Sequence, residues 1–228
     1  MQENKFQTRQ EASQAAADDI VNALSRRLAS QGDASLVVSG GTSPVDCLAE
    51  LSRADIEWAR VHVLPSDERW VASTDESSNE NMIRNALLTN KASVATLHGL
   101  YDPCATVDER CEQIGVEFKT LPFPFAAALL GMGADGHFAS LFPDADNLER
   151  GLNPDFAGLC LPVRTIASPY ERISLTLSAL SRSDEIALLI FGDDKWATLQ
   201  SAKEKNSKLP VARLIKQKRA PVTVYWAP

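Results

Sequence analysis

Three times in this chain a short, largely apolar run ends at a glycine-bearing polar turn. Ala34–Val38 runs into Ser39-Gly40-Gly41-Thr42-Ser43-Pro44, Phe125–Leu130 into Gly131-Met132-Gly133-Ala134-Asp135-Gly136-His137, and Ile186–Phe191 into Gly192-Asp193-Asp194-Lys195. Apolar runs of this length fit strands covered on both faces. Helical patterns lie between them. Over residues 8–31, Ala12, Ala16, Ile20, Leu24 and Leu28 recur on one face. A helix is expected after Pro44 with Val45, Leu48 and Leu51 on its inner side, and others over Asn79–Leu88, over Val107–Lys119 and around Trp196 and Leu199. Val61–Leu64 and Val222–Trp226 add strands, residues 173–177 (ISLTL) alternate as a half-buried strand does, and a Pro/Gly/Asp-rich stretch covers 143–158. Strands alternating with helices predict an α/β fold, a doubly wound and largely parallel sheet with helices on both faces, in a single domain over 1–228. Ligands of such sheets gather at the carboxyl ends of the strands, where the three glycine-bearing turns fall.

Composition narrows the function classes. With 228 residues, 44% hydrophobic and 23% charged, the chain can bury a substantial core and is neither disordered nor collagen-like. Cys47, Cys104, Cys111 and Cys160 stand far apart without CxxC spacing, so neither a zinc site nor a disulfide framework is implied. The polar start MQENKFQTRQEASQ has no signal-like apolar region and no run approaches a membrane span, which predicts a soluble protein of a reducing compartment, the cytoplasm, with no membrane partner. Charge is uneven: the 34 residues from Lys195 onward carry +7, the rest −14, for −7 in all. No aromatic residues interleave with the lysines of SAKEKNSK or KQKR, so this tail reads as a solvated face and no nucleic-acid partner is expected.

Four segments carry chemistry. In Ser39–Pro44, two glycines let backbone amides approach an anion and Thr42 and Ser43 add hydroxyls, which suits a phosphate; a capped strand-to-helix turn fits the same letters. Gly131–Gly136 spells GxGxxG, yet it is followed by a stretch that breaks at Pro143 instead of a long helix, so the dinucleotide reading fails. What remains there is Asp135 and His137 on a glycine-hinged loop, an imidazole able to act as general base beside a carboxylate able to orient it. Arg69, within Asp67-Glu68-Arg69-Trp70, and Arg172 offer planar forks of donors for a phosphate, or are surface ion-pair residues. Lys195 offers a point charge, or simply starts a helix. His62 and His98 read as structural. There is no GxSxG elbow and no HExxH helix, so hydrolysis here would use activated water, without acyl-serine, metal or cofactor.

In this order the segments resemble the 6-phosphogluconolactonase family, within the larger group that includes glucosamine-6-phosphate deaminase and ribose-5-phosphate isomerase. The resemblance covers nearly the whole chain: SGGTSP, DERWV with Ser78-Asn79 downstream, GMGADGHFASLFP, the strand from Arg172 and the turn from Gly192 to Lys195. It implies hydrolysis of 6-phospho-D-glucono-1,5-lactone to 6-phosphogluconate, the second step of the oxidative pentose phosphate pathway. It also implies a phosphate loop at Gly40, Gly41 and Thr42, arginines at Arg69 and Arg172, a catalytic histidine at His137, its acidic neighbour at Asp135, and a phosphate-side lysine at Lys195. Asp67 is counted with the substrate-facing residues; in the alternative of an aldose–ketose isomerase or deaminase it would supply the acid/base group at C2. A second alternative is a non-catalytic phosphosugar-binding protein. Asp135 is read as orienting the imidazole or a sugar hydroxyl, and loop amides around Gly133 as oxyanion donors. The partner expected is the small-molecule substrate alone, with the chain a monomer or homodimer. Two departures from the family stand out: Thr42-Ser43 where it commonly has Ser-Thr, and Phe138 where it often has threonine.

Overall fold

The computed structural model describes residues 1–228. In chain order it has β1 (Gln2–Lys5), α1 (Arg9–Gln31), β2 (Ala34–Val38), α2 (Val45–Leu51), β3 (Val61–Pro65), β4 (Asp67–Arg69), α3 (Asn79–Ala86), β5 (Thr96–Leu97) and α4 (Val107–Glu117). There follow β6 (Ala127–Leu130), α5 (Leu148–Gly151), β7 (Cys160–Val163), β8 (Arg172–Leu175), α6 (Leu177–Leu180), β9 (Ile186–Phe191), α7 (Asp193–Ala202), α8 (Pro210–Lys216) and β10 (Val222–Ala227). Seven strands form one sheet in the order β1-β10-β9-β6-β2-β3-β5, every pair parallel. A second sheet of three antiparallel strands, β4-β8-β7, stands apart from it.

The apolar runs are explained by two cores. Along β2, Val37 enters one core while Leu36 and Val38 enter the other; along β9, Ile186, Leu188 and Ile190 part in the same way from Ala187 and Leu189. Side chains alternate across a strand, so a strand covered on both faces is apolar at nearly every position, and the exception in β2, Ser35, is buried with its hydroxyl donating to the Pro122 carbonyl. One core is closed by α1, α2 and α3 through residues such as Ile20, Leu24, Leu48 and Ile83. The other is closed by α4, α7 and α8 and by the antiparallel sheet, through Ile114, Leu199, Val211, Ile173 and Leu175. α1 begins on a capping box in which Thr8 and Glu11 satisfy each other's backbone amides, and it ends at Gly32 with φ +92°.

Two expectations are corrected here. Residues 173–177 are not half-buried: Ile173, Ser174, Leu175, Thr176 and Leu177 are all buried, and the strand stops at Leu175. The polar positions of the alternation face protein that satisfies them. Ser174 Oγ accepts from the Ser140 amide and donates to the Leu175 carbonyl, while Thr176 caps α6 through the Ala179 amide. In α2 the inner face is Cys47, Leu48 and Leu51; Val45, at the first position, projects past the packed turn and is exposed. No helix is long and apolar enough to cross a membrane.

Candidate active site

The order of the large sheet reverses between β2 and β6: from β2 the chain goes outward to β3 and β5, whereas β6, β9 and β10 build the opposite side. Loops leaving the carboxyl ends of strands on the two sides of such a point diverge and leave a crevice. A cleft of about 410 Å³ lies there. Gly40, Gly41, Thr42, Asp67, Arg69, His137, Arg172 and Lys195 all line it, although they come from five separate stretches of chain. Asp135 stands behind His137.

The loop after β2 turns through Gly41 at φ +88°. Gly40 is required by contact, since a Cβ there would sit 1.9 Å from Asn79 Oδ1. α2 follows with Pro44 at its N-cap and no side chain capping it, so Thr42 and Ser43 do not serve as caps; both line the cleft.

The loop after β6 is folded on itself. The Gly133 amide donates to the His137 carbonyl (2.9 Å) and the Gly136 amide to the Gly133 carbonyl (3.0 Å), with Gly136 at φ +79°. These two amides are therefore committed within the loop, which leaves the oxyanion donors expected around Gly133 to the other amides of the loop. A Cβ at Gly133 would stand 2.2 Å from His137 Nδ1, so the glycine makes room for the ring. His137 Nδ1 lies 2.6 Å from Asp135 Oδ1. A carboxylate only accepts, which assigns the hydrogen to Nδ1 and leaves the Nε2 lone pair free. The imidazole packs on the Phe142 ring at 4.1 Å between centroids, which fixes its tilt. Phe138, where the family often has threonine, is fully buried.

The arginines come from the antiparallel sheet, where Arg69 and Arg172 are register partners. Arg172 donates from Nη1 to Ser140 Oγ (3.2 Å) and from Nε to Ser168 Oγ (3.1 Å), and its Nη1 lies 3.6 Å from Asp67 Oδ2. Burial pulls its guanidinium below the ordinary value, Asp67 opposes that, and Arg69 adds to it; an arginine remains a cation throughout. Both oxygens of Asp67 are occupied, Oδ1 by the Ser66 hydroxyl (2.8 Å) and Oδ2 by the Ser140 hydroxyl (2.5 Å).

Glu68, which sequence reasoning passed over, is fully buried. Its carboxylate accepts from the amides of Arg69, Asn79 and Glu80 at 2.7 Å each and from the Ser78 hydroxyl at 3.0 Å, tying the Arg69 strand to the start of α3. Burial raises the Glu68 carboxyl above its usual range, and these hydrogen bonds pull the other way. Lys195 sits in the first turn of α7, after Gly192 at φ +91°. Burial, then Arg9, holds its ammonium below the ordinary value.

Ser39, Asn79, Ser140 and Phe142 also belong to this region and were not singled out from sequence. The signal available for Asn79 was its place beside the cap residue Ser78, downstream of Asp67-Glu68-Arg69. His62 and His98 lie outside the cleft, stacked at 5.1 Å and hydrogen-bonded to each other at 2.9 Å. Nowhere do three His, Cys, Asp or Glu side chains cluster so as to hold a metal ion.

The chain as a whole is similar to known proteins. The family model described as glucosamine-6-phosphate isomerases/6-phosphogluconolactonase matches residues 7–226. The chain is 38% identical to a 6-phosphogluconolactonase of Pseudomonas aeruginosa, over 93% of its own length and 89% of that protein's. It is 39% identical to a 6-phosphogluconolactonase of Caulobacter vibrioides, over 97% and 95% of the two chains. Among solved structures, a 6-phosphogluconolactonase from Shewanella baltica superposes with a TM-score of 0.95 at 33% identity, covering 100% of this chain and 98% of that one.

Proposed function

The chain belongs to the glucosamine-6-phosphate isomerase/6-phosphogluconolactonase family, and we propose that it hydrolyses 6-phospho-D-glucono-1,5-lactone to 6-phospho-D-gluconate in the oxidative pentose phosphate pathway. The observation that carries this reading is the imidazole of His137, tied at Nδ1 to Asp135 with Nε2 unengaged, in the same cleft as Arg69, Arg172 and Lys195.

In this mechanism the phosphate lies against the Gly40–Thr42 loop, and Arg69, Arg172 and Lys195 supply the cations. Holding the anionic end positions the ring so that C1 lies near Nε2. His137 accepts a proton from water as the water oxygen bonds to C1, and the carbonyl oxygen becomes an oxyanion in need of nearby donors. Collapse of the tetrahedral intermediate breaks the bond from C1 to the ring oxygen, which takes the proton back from His137. Asp135 holds the tautomer and favours the imidazolium while it exists. The step as drawn asks nothing of a metal.

Each Asp67 oxygen accepts one seryl hydroxyl and keeps a further lone pair, so the deaminase alternative, in which Asp67 would be the C2 acid/base group, is tested by release of ammonia from glucosamine 6-phosphate. Four free cysteines fit a reducing compartment, and we place the activity in the cytoplasm.

The test is to generate the lactone in situ from glucose 6-phosphate with its dehydrogenase and to follow its loss with wild type, His137→Ala and no protein. Acceleration by wild type alone is the expected result. A wild-type rate equal to the blank overturns the reading, and equal hydrolysis of unphosphorylated gluconolactone overturns the role of the cations.

A further inference from the structure

The imidazole of His137 is hydrogen-bonded at one corner only, from Nδ1 to Asp135 Oδ1 (2.6 Å). That bond holds Nδ1 in place. Nε2 takes the proton in the lactonase reading, on which this inference rests, and it lies at the far corner of the ring. It swings with any rotation about the Nδ1 bond, so aiming it requires a second hold on the plane of the ring.

The chain brings that hold back from further along the same segment. After His137 it reverses sharply: the Leu141 amide donates to the Phe138 carbonyl (3.0 Å), and Ala139, between them, has φ +48°. A residue with a side chain is disfavoured in the left-handed region and persists there only where its surroundings hold it. Ser140 does the holding. Its amide donates to Ser174 Oγ (3.1 Å), and its hydroxyl donates to Asp67 Oδ2 (2.5 Å) and accepts from Arg172 Nη1 (3.2 Å). The reversal lays Phe142 against His137, with ring centroids 4.1 Å apart and planes 31° from parallel. The guanidinium of Arg172 lies over the same phenyl ring, 5.2 Å from its centroid. Both contacts are attractive, and Phe142 is only 5% exposed, packed in the core beneath the cleft. One phenyl ring thus joins the imidazole on its glycine loop to the arginine lattice of the antiparallel sheet.

We infer that Phe142 is a positioning residue for the reaction. Its flat face, backed by Arg172 and the Ser140 turn, sets the plane of the imidazole and so aims Nε2 at the water that attacks C1. The loop backbone stays free to adjust while the ring keeps its heading. A reacting atom displaced by about 1 Å costs on the order of 100-fold, so loss of the face acts on the chemical step and leaves substrate binding alone.

The experiment measures kcat, KM and melting temperature for wild type, Phe142→Met, Phe142→Tyr, Asp135→Asn and the double variant of Phe142→Met with Asp135→Asn, on lactone generated in situ. Methionine fills the volume without a flat face, whereas tyrosine keeps the face. Phe142→Met should lower kcat about 10- to 100-fold with KM within about 2-fold of wild type, and Phe142→Tyr should restore most of the loss. Asp135 and Phe142 hold the same ring, so the double variant should lose less than the product of the two single losses. A wild-type kcat in Phe142→Met overturns the inference, as does an effect confined to KM, an equal loss in Phe142→Tyr, or losses that multiply. Phe142→Leu, which leaves a smaller apolar side chain in the same place, decides the matter if Phe142→Met fails to fold. A wild type no faster than the blank refutes the lactonase reading itself, a result distinct from an active wild type whose Phe142 variants keep its kcat.

Discussion

The two sides of the cleft hold their functional groups by different means. On the parallel-sheet side, Asp135 and His137 ride a glycine loop, with side chains 43% and 27% exposed, and Asp135 Oδ1 meets both the ring Nδ1 and the backbone amide of His137. On the antiparallel side, Arg172 and Asp67 have side chains only 12% and 7% exposed, inside a lattice of Ser66, Ser140, Ser168 and Glu68. Water screens the first pair, so it contributes little to folding, and its loop can adjust as a proton moves. The second set has given up its hydration, and removal of any member strands a buried partner. On the proposed function, the proton-transferring group sits where the protein is tolerant, and the two arginines where it is rigid.

That contrast fails or holds with a small set of variants. The largest effect belongs to His137→Ala. Removing a general base predicts a kcat lower by about 10²- to 10⁴-fold with KM and melting temperature nearly unchanged. A variant of unaltered kcat would leave the parallel side without chemistry. Next comes Arg172→Met, which leaves the Asp67 carboxylate buried beside two seryl hydroxyls. Breaking a buried pair from one side predicts a loss of about 3 kcal/mol, or roughly 6–12 °C in melting temperature for a chain of this size, together with a raised KM. Thermal unfolding at neutral pH reads it. A normal melting temperature with a lowered kcat would mean that the two sides do not differ as described. The third variant, Asp135→Asn, sharpens the comparison because it deletes a carboxylate on the tolerant side. With the imidazole no longer held in one tautomer, kcat should fall about 10-fold or more while the melting temperature stays put.

The two sides also differed in how far sequence revealed them. β2, β6 and β9 were readable because burial on both faces leaves a largely apolar run, and the loops that end them stood out by their glycines. The antiparallel sheet escaped. β4 is Asp67-Glu68-Arg69, three charged residues that no hydrophobic pattern marks as a strand, and they are ordered by hydrogen bonds to segments distant in sequence, such as Ser140 and Ser78. β8 was found but misjudged, since an alternating pattern does not tell a polar face turned to water from one turned to serines and amides. β1 is wholly polar, an edge strand held by backbone pairing to β10. Helix α8 did carry a signal in Pro210 at its first turn, ahead of the apolar positions Val211 and Leu214. At the site, glycines and charged residues announced themselves by type. Phe142 did not, because what distinguishes it is the imidazole and the guanidinium that its ring meets, a property of the folded chain alone.

The smallest effect expected lies away from both sides, at the edge of the parallel sheet, and it separates stability from chemistry by pH. His98 follows β5, its backbone amide bonded to the Val63 carbonyl, and its ring stacks on His62 and meets Phe118 edge-on. Burial, reinforced by His62, lowers its pKa below the ordinary 6.5, with Glu117 opposing. Above that ordinary value the ring is neutral in both folded and unfolded chains. As pH falls through it the unfolded chain takes up a proton first, so unfolding gains and stability drops. The ring is only half-buried, so solvent discounts the effect, and a fall of about 1–3 °C between pH 7 and 5.5 is expected from this group. His98→Gln should remove that increment from the melting curve and leave the pH profile of kcat untouched, since the cleft does not include it. Superimposable melting curves for wild type and variant would assign the acid sensitivity elsewhere. A shifted kcat profile would instead couple this edge to the cleft, and the separation between scaffold and chemistry drawn above would no longer hold.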